Sequence, residues 1–312
     1  MTAPAINVGQ TAQAAKPRPP GKPNARSYTA STYPVWFVFP ALLLFIIFFL
    51  VPTVSSFYFA FTRWDLFTST WIGWRNFEQF LAEPEMAQSL GHTLIYAVVT
   101  SGAKVLLGLP LAVLLTGKIL GRDLLRSIIF FPVLCSTIGI GITFTALMNP
   151  NVGLINGVLA AMGITGPGWL TNPALALFSV ALVDIWKGVG LATLIYIAGI
   201  LAIPREYYEA ADVDGTSKMG QFLHITLPLA WPATSTVITL SLIGGLRSFD
   251  LIWAMTKGGP GFASDVIASV IYKQYQAGFY GLSTAGNVVL FLLVAFIIMP
   301  LQWWMTKREV EL

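Results

Sequence analysis

Long stretches without a charged residue constrain this sequence more than any other feature. Residues 27–62, 127–183, 219–246 and 274–306 contain no Asp, Glu, Lys or Arg and are 36, 57, 28 and 33 residues long. A helix needs about 20 mostly apolar residues to cross the hydrocarbon core of a bilayer. Each stretch therefore holds at least one membrane-spanning helix, and a soluble globular fold is excluded.

The composition supports the same class. Charged residues make up 10% of the chain and hydrophobic residues 55%, whereas a typical soluble domain is about 25% charged. These values exclude a soluble enzyme, a nucleic-acid binder and a disordered protein. The single cysteine, Cys135, excludes an internal disulfide, and the distant His92 and His224 give no metal-ligand spacing. We expect no catalytic site, no metal and no cofactor in this chain.

Six helices account for the apolar stretches. Residues 127–183 are too long for one span, and the prolines and glycines at 150–173 predict a loop between two spans. Residues 90–116 form a further apolar stretch whose one charge is Lys104. The predicted membrane helices are 36–60, 89–117, 124–147, 173–201, 229–256 and 284–306.

Basic residues predict the orientation of these helices. The segments on the side of the N-terminus carry 11 of them and the opposite segments carry 4. Because basic residues accumulate on the cytoplasmic side, both termini are predicted to be cytoplasmic. Residues 1–33 combine several prolines with four basic residues, which predicts a disordered cytoplasmic tail before a membrane domain at 34–312.

The predicted cytoplasmic loop at about 203–228 is longer than the others and has the signals of two short helices. Pro204 suits a first helical position, and Gly215 suits the left-handed residue that ends a helix. Thr216 or Ser217 can cap the second helix. The small side chains of the first helix would let another protein approach closely.

This loop resembles the cytoplasmic motif of permease subunits of binding-protein-dependent ABC importers. That motif is Glu-Ala-Ala, three residues, Gly, nine residues and Ile-x-Leu-Pro, and every fixed position matches at the same spacing. The matching residues are Glu209, Ala210, Ala211, Gly215, Ile225, Leu227 and Pro228. Residues 73–77 and 256–260 are similar to external segments of the carbohydrate-type permeases, including the maltose-permease first subunit and glycerol-phosphate group. The likeness extends from about residue 36 to the C-terminus.

The resemblance implies an all-α type I importer permease in the cytoplasmic membrane of a bacterium. Such a chain pairs with a second similar permease on two cytoplasmic ATPase subunits, which bind ATP and Mg²⁺, and an external solute-binding protein delivers the solute. The helix containing Glu209 and Asp214 would be the coupling helix, with Glu209 paired to a basic residue of one ATPase. External contacts with the binding protein are expected at Gly258, Gly259 and Pro260. Membrane lipid would surround the complex, and no nucleic-acid partner is expected.

The chain has no nucleotide-binding motif of its own. The Walker pattern needs Gly, four residues and Gly-Lys-Ser/Thr, whereas Gly117-Lys118 is followed by Ile119 and preceded by Ala112. The energy for transport must therefore come from a partner.

Charged residues within predicted spans allow two interpretations. Asp184 and Lys187, like Arg247 and Asp250, are three residues apart, so each pair could neutralise itself on one helix face. Alternatively, they line a polar cavity, which the resemblance places between these two helices. The candidate lining residues are Trp186, Lys187, Gly188, Leu191, Ser241, Gly245 and Ser248. Lys104 either pairs with an acid on another helix or extends to the interface.

The leading hypothesis is the permease subunit of an ATP-driven importer for a sugar or related polyol. The alternative is an ion-coupled secondary carrier, which builds its site from one chain and often from internal repeats. No repeat is visible in this sequence. The residues leave open whether the solute is a neutral sugar or a phosphorylated polyol.

Overall fold

The computed structural model describes residues 35–117 and 119–308, and the predicted tail at 1–33 lies outside them. The described residues divide into two compact units, 35–52 and 53–308 without 118. The helices of the described part are α1 Trp36–Ala60, α2 Arg75–Ala82, α3 Pro84–Thr116, α4 Arg122–Leu134, α5 Thr137–Leu147, α6 Leu154–Ala161, α7 Pro173–Leu201, α8 Arg205–Val213, α9 Lys218–Leu229, α10 Trp231–Leu246, α11 Asp250–Met255, α12 Ile267–Gln276 and α13 Tyr280–Thr306. Two short strands, β1 Thr62–Trp64 and β2 Ser69–Trp71, pair antiparallel.

Four single helices are long and apolar enough to cross a membrane, namely α1, α3, α7 and α13. Two bent pairs, α4 with α5 and α9 with α10, pass the same criterion together, at angles of 98° and 64°. Counting each bent pair as one span gives six spans within the described residues, which is the predicted number, although the pair α9–α10 begins at Lys218, inside the segment predicted as a cytoplasmic loop.

The third predicted helix, 124–147, is wrong as a continuous element. Pro132 lies inside α4, which ends before the extended residue Cys135, and proline removes a backbone hydrogen bond of the helix. Ser136 then caps α5, because its Oγ accepts a hydrogen bond from the Gly139 N–H at 3.4 Å. A helix stop followed directly by a helix start produces the sharp bend.

The fifth predicted helix, 229–256, is also interrupted. Residues 247–249 are not helical, and α11 resumes at Asp250. Gly244 and Gly245 come directly before the break, and glycine weakens a helix interior by about 1 kcal/mol relative to alanine. The interruption places Ser248 in irregular backbone beside the end of α10.

Helices α3, α7 and α10 pack together through small residues. A Cβ added to Gly108 of α3 would lie 3.1 Å from the Cβ of Ala192 on α7, and one added to Gly199 of α7 would lie 2.5 Å from the Cβ of Ala233 on α10. Small residues allow this close approach of helices inside a membrane, where packing provides much of the association energy. The three helices therefore form a fixed core around their polar side chains.

Asn76 anchors the β1–β2 hairpin at the end of α1. Its Nδ2 donates to the carbonyl oxygens of Ala60 at 2.9 Å and Thr62 at 2.8 Å, and the residue is buried. This contact gives a structural reason for the asparagine in the 73–77 segment.

Candidate functional site

The loop between α7 and α10 contains the two short helices that the sequence predicted. Gly215 adopts φ +71° after α8. The Gly215 N–H donates to the Asp212 carbonyl at 3.2 Å, and the Thr216 N–H donates to the Ala211 carbonyl at 2.9 Å. These two bonds form a Schellman helix end. Ser217, rather than Thr216, caps α9 by accepting from the Gly220 N–H at 3.2 Å.

The exposed face of α8 carries part of the matched motif. Glu209 and Ala210 are exposed, as is Asp214 at the end of the helix, but Ala211 is buried. Ala210 and Ala211 thus lie on different faces of α8, because neighbouring residues of a helix point about 100° apart. The coupling role of both alanines stays a prediction. Ile225 is half-buried in α9, where Leu227 and Pro228 are exposed.

Three side chains that the sequence did not single out join α8 to α9. The Oδ1 of Asp212 accepts hydrogen bonds from Lys218 Nζ at 2.9 Å and from Gln221 Nε2 at 2.5 Å. Lys218 Nζ also donates to Gln221 Oε1 at 3.2 Å. The hydrogen bond from Lys218, followed by that from Gln221, lowers the pKa of Asp212. The carboxylate thus stays ionised at neutral pH, and this contact weakens only as the pH falls through the lowered pKa.

A buried ion pair lies between α3 and α7. Lys104 Nζ is 2.8 Å from Asp184 Oδ2, and the two side chains are 10% and 24% exposed. The prediction that Lys104 pairs with an acid on another helix is confirmed. Self-pairing of Asp184 with Lys187 is wrong, and the described residues show no ion pair between Arg247 and Asp250 either.

Gly188 explains why Asp184 pairs with Lys104. A Cβ at Gly188 would lie 2.5 Å from Lys104 Cε, so the absence of a side chain lets the lysine lie along α7 and reach the carboxylate. The buried Tyr96 hydroxyl of α3 has no hydrogen-bond partner among the described residues. The pair of Lys104 and Asp184 joins α3 to α7.

Two of the predicted cavity residues are also close-packing positions. An added Cβ would lie 2.5 Å from Lys104 Cε at Gly188 and 2.6 Å from the Cα of Ala97 at Gly245. Of the seven predicted lining residues, Gly245 is buried, Trp186 and Leu191 are exposed, and Lys187, Gly188, Ser241 and Ser248 are half-buried. The Trp186 ring lies 5.3 Å from that of Phe144 on α5, so these two rings form one aromatic surface.

The loop after α11, which was predicted to be external, is held by buried polar contacts. A Cβ at Gly258 would overlap the Asp265 carboxylate, which accepts from Ser269 Oγ at 2.7 Å and Lys273 Nζ at 2.6 Å. Ser264 Oγ donates to the Gly259 carbonyl at 2.6 Å.

Only part of this loop is available to a partner. Gly258 is buried, whereas Gly259 and Pro260 are half-buried, so the latter two offer more surface for the predicted contact with a binding protein. Both border a cavity of about 380 Å³ that Asn149 and Thr171 also line.

Comparison with known proteins decides the family. Residues 104–308 match the family described as binding-protein-dependent transport system inner membrane component. The chain belongs to this family. Membership makes it a component of a transport system.

Similar curated proteins share nearly the whole length of the chain. The trehalose/maltose transport system permease protein MalF of Thermococcus litoralis is 33% identical over 275 residues, which cover 87% of this chain and 93% of that protein. The arabinooligosaccharides transport system permease protein AraP of Bacillus subtilis is 32% identical over 277 residues, which cover 87% and 88% of the two chains.

A solved structure supports the fold. A chain of a bacterial alginate ABC transporter, crystallised in complex with an alginate pentasaccharide-bound periplasmic protein, has a TM-score of 0.76. Identity is 22%, and the alignment covers 85% of this chain and 91% of that chain. The family member described here therefore has the type I ABC importer permease fold.

Proposed function

We propose that this chain is the permease subunit of an ATP-driven importer that moves a sugar or related polyol across the cytoplasmic membrane of a bacterium. The observation that carries the proposal is the exposed helix α8, which ends at the left-handed Gly215 and presents the Glu209 motif. The names of the relatives, which refer to trehalose, maltose and arabinooligosaccharides, support a sugar as the solute. An ion-coupled carrier built from this chain alone fits neither the motif nor the family.

The partners in this proposal are a second similar permease, two ATPase subunits and an external binding protein. Helix α8 docks in a cleft of one ATPase, which holds ATP and Mg²⁺, and Glu209 pairs there with a basic residue. Gly259 and Pro260 are the external residues retained as candidates for contact with the binding protein, because Gly258 is buried.

The solute path in this proposal passes the aromatic surface of Trp186 and Phe144. Trp186 offers a broad apolar ring and one N–H donor, which suits a hydroxylated ring. The negative charge of Asp184 is balanced by Lys104, whereas Lys187 shows no ion pair within the described residues. A phosphorylated polyol near Lys187 therefore stays the alternative to a neutral sugar.

We expect Glu209→Ala to lower ATP-driven uptake by about 30-fold or more and to weaken retention of the ATPase subunits. Truncating one member of a buried charge pair at an interface costs about 2–5 kcal/mol. The measurement is uptake of labelled maltose, an arabinooligosaccharide and glycerol phosphate into proteoliposomes, together with co-purification of the ATPases. Glu78→Ala, which changes an exposed glutamate of α2, is the control and should behave as wild type. Uptake driven by an ion gradient without ATP would support the carrier instead.

We expect cysteine labelling to place Val152 outside and Leu120 inside the membrane. Both side chains are highly exposed, and they lie at opposite ends of the α4–α5 pair. In a Cys135→Ala background, Val152→Cys should react with a membrane-impermeant maleimide on intact spheroplasts. Leu120→Cys should react with the same reagent only after the spheroplasts are lysed. The reverse pattern would invert the proposed topology.

A further inference from the structure

Helix α8 is fastened to α9 at two separate points. The first is the contact of Asp212 with Lys218 and Gln221, which lies beside the Gly215 turn. The second is the hydrogen bond between the Tyr208 hydroxyl and Thr226 Oγ1, at 3.0 Å. Because the two contacts are separated along both helices, they oppose a change of the angle between α8 and α9. A turn alone would allow that angle to change.

The contact at Asp212 matters because Gln221 is buried. Its side-chain amide donates to Asp212 Oδ1 and, at 3.4 Å, to the Thr216 carbonyl. A buried amide that loses its acceptor destabilises the arrangement that buries it. An isolated ion pair between exposed residues contributes little, so we assign the effect of Asp212 to the closed network with Gln221.

Helix α9 leads into α10 through a bend of 64°. Only Ala230, which is buried, separates the end of α9 from the start of α10, and the Trp231 indole N–H donates to the Met305 carbonyl of α13 at 3.1 Å. Helix α10 then packs on α3 at Gly245 and ends beside Ser248. A displacement of α8 that α9 follows would therefore reach α10, which carries the predicted lining residue Ser241.

We propose that the two contacts, Asp212–Lys218–Gln221 and Tyr208–Thr226, make α8 and α9 one rigid lever that transmits movement of the ATPases to α10. Asp212 and Tyr208 are thus positioning residues for coupling. They act on the orientation of α8 and do not themselves bind the ATPase. The inference rests on the proposed function, since it assumes that α8 docks on an ATPase.

The test compares solute molecules imported per ATP hydrolysed by the complete transporter in proteoliposomes. Asp212→Ala should import roughly fivefold less solute per ATP, the order of effect expected when one hydrogen-bonded charge loses its partners. Tyr208→Phe should lower the solute imported per ATP by less. The double variant, Asp212→Ala with Tyr208→Phe, should lower it by more than either single variant. Asp212→Asn keeps a carbonyl acceptor for Gln221 and should recover part of the loss. ATPase co-purification should stay at the wild-type level in all four variants.

Asp123→Ala is the matched control, because Asp123 is an exposed acid on the same side of the membrane, at the start of α4. If the double variant imports as much solute per ATP as wild type, the proposal of a rigid α8–α9 unit is wrong, while the proposed function is unaffected. Loss of ATPase binding in Asp212→Ala would also overturn the proposal of a rigid unit, since that result assigns Asp212 to the docking surface. If Asp212→Ala fails to insert, Tyr208→Phe and Asp212→Asn decide the question by the same ratio. Failure of the wild-type chain to retain ATPases would instead refute the proposed function.

Discussion

Lys104→Met is expected to destabilise the subunit by about 3 kcal/mol, because it leaves the largely buried Asp184 carboxylate without its cation. Breaking a buried ion pair by removing one partner has an effect of this size, whereas replacing both partners with apolar residues of similar volume is often neutral. Lys104→Met with Asp184→Leu should therefore recover most of the stability. The measurement is thermal unfolding of the purified chain in detergent.

Lys187→Met is the matched control for this prediction. Lys187 is half-buried on the same helix as Asp184, so the substitution removes the same charge and leaves the Lys104–Asp184 pair in place. We expect a much smaller loss of stability from it than from Lys104→Met. Equal losses in the two variants would mean that the pair between α3 and α7 contributes nothing specific.

The double variant also separates stability from transport. If Asp184 does no more than hold α7 against α3, the variant with both Lys104→Met and Asp184→Leu should import its solute at the wild-type rate. If it folds and assembles but imports poorly, Asp184 or Lys104 takes part in the solute path as well. Measuring uptake beside thermal unfolding distinguishes these two roles.

The features that the sequence predicted correctly depend on local signals. Absence of charge marks the spans, and Pro204, Gly215 and Ser217 mark the ends of α8 and α9 through backbone preferences that operate within a few residues. The α8–α9 loop could therefore be predicted in detail before any tertiary contact was known.

The features that were missed depend on which helices meet. The rule that residues three apart share a helix face favoured Lys187 as the partner of Asp184, but it takes no account of a lysine on a neighbouring helix. The useful signal was Gly188, since a glycine one turn after an intramembrane acid leaves room for a long side chain from another helix. Asp212 was missed for a similar reason, because its partners lie across the turn at Lys218 and Gln221.

The bends were missed because hydropathy reports composition and not direction. Residues 124–147 are apolar enough for one span, yet the stop at Cys135 and the cap at Ser136 turn the chain by 98°. A serine directly after a proline-containing helical segment was the available local sign. The positions of charged residues cannot reveal such a bend, because the C-terminal part of α4 and all of α5 lie in the same uncharged stretch.

Gly215→Val is expected to reduce ATP-driven uptake at least tenfold while leaving membrane insertion unchanged. A Cβ at Gly215 would have no heavy atom within 4 Å, so a clash cannot cause the effect. The cause is the φ of +71°, which costs an ordinary residue about 1–2 kcal/mol and a β-branched residue more. If the chain relaxes to negative φ, the two hydrogen bonds that end α8 are lost, and the helix turns away from the position in which the ATPase meets it.

Two further variants isolate this conformational cause. Gly215→Asn adds a side chain but tolerates the left-handed region, so it should keep most of the uptake. Gly91→Val adds the same side chain at an exposed helical position of α3 where a Cβ also meets nothing within 4 Å, and it should transport as wild type. Equal loss of uptake in the Asn and Val variants would point to the added side chain rather than to φ. That outcome would mean that the surface of Gly215 itself contacts the ATPase, and it would place the docking face at the end of α8 instead of along Glu209 and Ala210.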